Sequence, residues 1–189
     1  SQQFYQKLFN IYLELKDTKR MANTFYVYHL NYPTDIELQK KMLTQILDLY
    51  IINKKTQSLA YWIPILEKGF LKFDKAFIDK TTETLGFMLF NSCQELEKSG
   101  NQALAVKGYK DIFKTTKYPI KVRADAAYAL SVLSIKRNQI KDSSEWLSES
   151  LKLYSAEEIS KIALPLTNLI KDYALGQEEE MALSFIHHL

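Results

Sequence analysis

The sequence predicts an all-α protein, a stack of about five antiparallel helical hairpins, on three observations. Only five glycines and four prolines punctuate 189 residues, and β-branched residues are scattered rather than gathered as strands would need. Apolar residues recur every three to four positions, the period of one helix face. The periodic segments are separated by short polar turns such as Asn53-Lys54-Lys55 and Ser99-Gly100-Asn101. With 47% hydrophobic residues the chain can bury a continuous core. Its length suits a single domain over 1–189, or one array of small stacked units.

Phe4, Leu8, Ile11, Tyr12 and Leu15 share one face of a first helix, which ends at Lys16-Asp17. Thr18 is placed to cap the second, its hydroxyl accepting from a free backbone N–H. Met21, Ala22, Phe25 and Leu30 carry that helix to Tyr32-Pro33, where proline cannot continue it. Asp35 caps a third helix to about Ile52, apolar on most sides and therefore flanked on two faces. Its partner covers 56–69. Pro64 within it removes a backbone donor, which implies a kink costing about 3 kcal/mol unless compensated, and Gly69 is a natural stop. Asp74 opens a long helix to Lys98, with a break expected near Thr81-Thr82. A helix over 101–116 follows, closed by Tyr118-Pro119. The stretch 124–157 reads as two amphipathic helices joined by the polar turn RNQIKD and closed by Tyr154. Ser155 caps a helix over 156–175, bent at Pro165 and stopped by Gly176. Glu178, Glu179 and Glu180 load the first turn of a tenth helix with charge that its dipole favours.

Small residues fall where two of these helices would cross closely. Counting from Ala124, Ala127 stands at position four, Leu130 at seven, Ser131 at eight, Ser143 at twenty, Leu147 at twenty-four and Ser150 at twenty-seven. Counting from Gly86, Cys93 takes position eight, Ala105 twenty and Tyr109 twenty-four. This pattern resembles the tetratricopeptide (TPR) repeat, and it is clearest over 86–119 and 124–157. The small residues Ala22, Ser58, Ala105, Ser143 and Ala182 recur at intervals of 36, 47, 38 and 39 residues, longer than the TPR period. The resemblance implies a right-handed α-solenoid whose inner surface binds a partner protein. TPR positions two, five, nine, twelve and thirteen contact ligands. They fall here on Phe87, Phe90, Gln94, Glu97 and Lys98, then on Asp125, Tyr128, Val132, Ile135 and Lys136, with Tyr128 as the central anchor. For Phe87 and Phe90 the alternative is burial against the preceding helix.

Little else in the chain carries chemistry. No HExxH, CxxC, GxSxG or phosphate-cradling glycine loop occurs, so no catalytic residue, metal site, cofactor or small-molecule substrate is expected. His29, His187 and His188 lack ligand spacing. Cys93 lies on an apolar face beside Leu89 and Leu96 and reads as a packed thiol; as the lone cysteine it forms no internal disulfide. The net charge of +3 is a lysine excess spread along the chain, where a nucleic-acid domain would show a denser basic stripe. Lys107, Lys110 and Lys114 do share one helix face. They suit an anionic partner, such as RNA or lipid headgroups, or else form a solvated outer face.

No apolar run reaches the length of a membrane span. The chain starts at Ser1 and not Met, so a shortened start or a removed leader is expected, and a missing N-terminal segment is the one route by which it would associate peripherally with a membrane. The Tyr-Pro helix end before an alanine-rich helix (YPIKVRADAAYAL) is similar to helical repeats of bacterial envelope proteins. It favours a periplasmic or envelope location over the cytoplasm. The expected function is a non-enzymatic scaffold or assembly factor that binds another protein. The alternative is a helical module for an anionic partner.

Overall fold

The computed structural model describes residues 1–176. Among these it contains nine α-helices, one 3-10 turn and no strand. The helices are α1 (Gln2–Glu14), α2 (Thr18–Asn31), α3 (Ile36–Ile52), α4 (Thr56–Glu67), α5 (Lys75–Lys98), α6 (Gln102–Lys114), α7 (Ile120–Lys136), α8 (Ile140–Leu153) and α9 (Ala156–Gly176). The expected tenth helix, with Ala182, His187 and His188, lies outside the described residues. The chain divides into two compact units, Ser1–Met88 and the residues from Leu89 onward, with the boundary inside α5.

In the first unit each helix packs on its chain neighbour, α1 on α2, α2 on α3 and α3 on α4. The buried side chains are Phe9 of α1, Met21, Phe25 and Tyr28 of α2, Met42, Leu43, Ile46 and Leu47 of α3, and Leu59, Ile63 and Leu66 of α4. The α1 face differs from the one read in the sequence. Phe9 turns inward, and Tyr5 packs edge-on against Tyr28 and Tyr32 at 6.0 and 6.1 Å between ring centroids. Phe4, Ile11 and Leu15 face solvent. The capping residue of α2 also differs. Asp17 accepts from the Arg20 N–H at 3.0 Å, whereas the Thr18 hydroxyl is buried and accepts from Lys55 Nζ at 2.6 Å. A carboxylate outcompetes a hydroxyl here because its charge also suits the positive end of the helix.

Asp35 caps α3 as expected, accepting from the Leu38 N–H at 3.3 Å. It also accepts from the Tyr28 hydroxyl at 2.5 Å and from Gln2 Nε2 at 3.3 Å, which ties α1 and α2 to the start of α3. Helix α4 continues through Pro64 to Glu67. Gly69 follows with φ of 89°, the left-handed conformation that ends a helix without Cβ strain. Asp74 accepts from the Phe77 N–H at 2.7 Å and opens α5. The break expected at Thr81-Thr82 is absent: these hydroxyls donate to Phe77 O and Ile78 O at 2.8 and 2.9 Å. Satisfied within the preceding turn, they leave the helix continuous.

In the second unit one core joins α5, α6 and α7 through Cys93, Ala105, Tyr109, Ile112, Val122, Ala126, Leu130 and Leu133. A second joins α7, α8 and α9 through Ile135, Leu147 and Leu166. Helix α7 therefore lies between two cores, which is why alanine, serine and leucine fill nearly all its sides. Close crossing is visible where small residues were aligned. Ser131 and Ser143 are both fully buried, with their hydroxyls 3.0 Å apart. At the α5–α6 crossing Cys93 Sγ occupies the space beside Gly108, only 2.4 Å from where a Cβ on that glycine would stand. Helix α9 opens with a capping box. Ser155 N–H donates to Glu158 Oε2 at 2.9 Å, and Glu158 N–H donates to Ser155 Oγ at 3.3 Å. This packing of consecutive helices is compatible with a helical repeat.

Candidate interaction surface

The inner-face register aligns α5 with α7, and the structure brings two of its positions together. Lys136 Nζ on α7 lies 3.2 Å from Glu97 Oε1 on α5, across 39 residues of sequence. Glu97 Oε2 also accepts weakly from the Tyr109 hydroxyl at 3.5 Å, which braces the carboxylate from behind. One turn earlier on α5 the Gln94 side chain is exposed, as is Lys98 one residue beyond Glu97. Phe90 is half-buried, its ring 5.4 Å from that of Tyr109, so it serves the first core while staying partly accessible. Phe87 falls in the first unit and is 40% exposed.

On α7 the carried-over positions are less open. Ile135 is buried in the second core, and Tyr128 packs half-buried against that core. Burial raises the pKa of the Tyr128 phenol. The expected central anchor therefore doubles as a packing residue. Val132 is half-buried. Asp125 is engaged within the unit: its Oδ1 accepts from Lys121 Nζ at 2.7 Å and from the Tyr154 hydroxyl at 2.5 Å. Lys121 also approaches Glu158 at 3.7 Å and lies 4.9 Å above the Tyr154 ring. Burial, with the Asp125 carboxylate beside it, pushes the Tyr154 phenol well above its usual pKa. This knot joins α7 to the ends of α8 and α9. Tyr154 drew notice in the sequence as the residue closing the hairpin, but nothing there named Asp125 and Lys121 as its partners.

Lys107, Lys110 and Lys114 are exposed along α6, and none makes an ion pair among the described residues. Lys110 Nζ sits 5.9 Å from the Trp146 ring centroid. Next to it lies a shallow groove of about 540 Å³ that no sequence signal foretold, lined by Phe113, Ser144, Trp146, Ser148, Glu145 and Glu149. Phe113 and Trp146 meet edge-to-face at 5.4 Å. The two carboxylates sit one helical turn apart in its wall, and that negative charge opposes an anion settling there.

Cys93 is buried, and its thiol is pushed up to about 11, chiefly by burial, so it stays protonated and unreactive near neutral pH. No three His, Cys, Asp or Glu side chains gather to hold a metal ion among the described residues. Within the same residues no helix is long and apolar enough to cross a membrane. Compared with protein-family models, with curated proteins and with solved structures, the chain matches none.

Proposed function

We propose that this chain is a non-enzymatic scaffold or assembly factor that holds a partner protein along the α5–α7 face of its second unit, in the manner of a TPR groove. The observation that supports the reading is the Glu97–Lys136 pair. Those two positions belong to one ligand-facing surface in a TPR register, and here they are neighbours in space. Around them Gln94 and Lys98 are open and Phe90 is partly accessible. A surface of this kind, with a half-buried aromatic among polar groups, suits a protein partner better than a small substrate. A bacterial envelope setting belongs to the same proposal and rests on the YPIKVRADAAYAL likeness alone.

The second reading, an anionic partner such as RNA or lipid headgroups, rests on the three unpaired lysines of α6. Glu145 and Glu149 in the adjoining groove count against it. The two readings separate by experiment. The partner recovered with the full chain is identified by mass spectrometry, and its dissociation constant is measured for Gln94→Arg and for Lys110→Glu combined with Lys114→Glu. A groove partner loses at least about tenfold with Gln94→Arg and changes little with the lysine pair. Its affinity is also nearly constant between low and moderate salt. Steep loss with salt and with the lysine pair, but not with Gln94→Arg, overturns the groove reading.

A further inference from the structure

Helix α1 carries two apolar faces, and the first unit covers one of them. Phe4, Ile11 and Leu15 remain 58%, 52% and 65% exposed, with half-buried Leu8 in line between them. Steps of four, three and four residues are the a/d spacing by which one helix packs along another. Single exposed apolar side chains are ordinary, but here they align along most of a 13-residue helix, a stripe roughly 17 Å long.

The charges beside the stripe indicate what covers it. Lys7 and Glu14 stand seven residues apart along one edge, both exposed, and neither takes part in an ion pair among the described residues. The other edge is already in use: Tyr5 packs on Tyr28 and Tyr32, and the Arg20 guanidinium lies 5.7 Å over the Tyr12 ring. A parallel partner helix would bring Lys7 toward that occupied edge. A second α1 running antiparallel, related by a twofold axis, instead sets Lys7 of each copy beside Glu14 of the other. The face is complementary to itself.

We propose that α1 is a homodimerisation helix, pairing antiparallel with a second copy of this chain through Phe4, Leu8, Ile11 and Leu15, with two Lys7–Glu14 pairs fixing its direction. One helix per copy makes a small interface, below the roughly 1,200 Å² at which standard stable complexes begin, so the dimer forms in a concentration-dependent way.

Sedimentation equilibrium of the full chain over about 1 µM to 1 mM, the span of weak association, tests this. The mass should rise from 22.0 kDa toward twice that value. Ile11→Lys should stay monomeric throughout with unchanged helix content. Lys7→Glu and Glu14→Lys should each weaken the dimer severalfold, and the two together should restore it. A chain that is monomeric at every concentration overturns the proposal and leaves the stripe to a different partner. So does a dimer that survives Ile11→Lys, or a double charge swap as weak as either single one. Should Ile11→Lys fail to fold, the three exposed charge variants decide the matter alone.

Discussion

Gly108 gives the sharpest test of how closely α5 and α6 approach. Alanine is the better helix residue, and in a helix interior the exchange normally stabilises by about 0.5–1 kcal/mol. At position 108 the new Cβ would stand 2.4 Å from Cys93 Sγ, far inside contact distance. The thiol is buried on a helix, where its rotamer choices are few, so the helices must part or the side chain must strain. Overpacking of this kind costs about 1–3 kcal/mol. The overlap exceeds the propensity gain, and Gly108→Ala should destabilise by about 1 kcal/mol net. Removing the obstacle reverses the sign: in a Cys93→Ala background the same substitution should stabilise by up to about 1 kcal/mol. Urea unfolding of the four proteins, read by circular dichroism, gives the cycle directly. If Gly108→Ala stabilises the parent chain as much as it stabilises Cys93→Ala, the close approach is refuted.

Three further outcomes are expected. Ser131→Ala leaves the Ser143 hydroxyl buried without its partner and should cost about 1–3 kcal/mol, whereas Ser131→Ala with Ser143→Ala should cost less than that single change; equal or additive losses in urea midpoints would argue against the bond. Ser155→Ala removes the hydroxyl that accepts from the Glu158 N–H in the α9 capping box and should lower stability by about 1 kcal/mol, with Ser155→Asp retaining most of it. Alkali should unfold the protein through its buried acids. The Cys93 thiol is pushed up to about 11 and the Tyr28 phenol to about 12, both mainly by burial, and Tyr109 and Tyr154 are raised too. Because the fold holds the neutral forms, their contribution is complete below the ordinary values near 8.5 for Cys and 10 for Tyr and is lost as pH climbs through the folded ones. The urea midpoint should stay level from pH 7 to about 8.5 and then fall toward pH 12; a level midpoint at pH 11 contradicts the burial.

Helix ends were the most legible part of the chain, because a cap is a local bargain between one side chain and a few amides. Asp35, Asp74, Ser155 and Gly69 each act where their chemistry placed them. Thr18 misled because Asp17 beside it offered a stronger acceptor. Periodicity was less decisive on α1, which has one apolar stripe through Phe9 and another through Phe4, Ile11 and Leu15. Spacing alone shows that both exist and not which one a neighbour covers. The TPR resemblance set Glu97 and Lys136 on one expected surface, and the structure places them 3.2 Å apart, a relation invisible to local reasoning across so many residues. It did not reveal that Ile135 would be buried, or that Tyr128 would lean on the second core, since both depend on where α9 lies. The Asp125–Lys121–Tyr154 knot escaped for the same reason. Its members are ordinary surface residue types until three helices converge.

Within each unit the helices pack on their chain neighbours: α1 with α2, α2 with α3 and α3 with α4, then α6 with α7 and α7 with α8. In kinetic terms, little loop-closure entropy separates the open chain from its first contacts, and such local topologies fold in microseconds to milliseconds. Ribosomes add about 5–20 residues per second, so each helix is far slower to make than to dock. The apolar side of α7 that carries Ile135 is left bare only for the few seconds in which α8 and α9 emerge. Slow, distant pairings, the usual window for aggregation, are scarce in a chain that closes on itself as it is made.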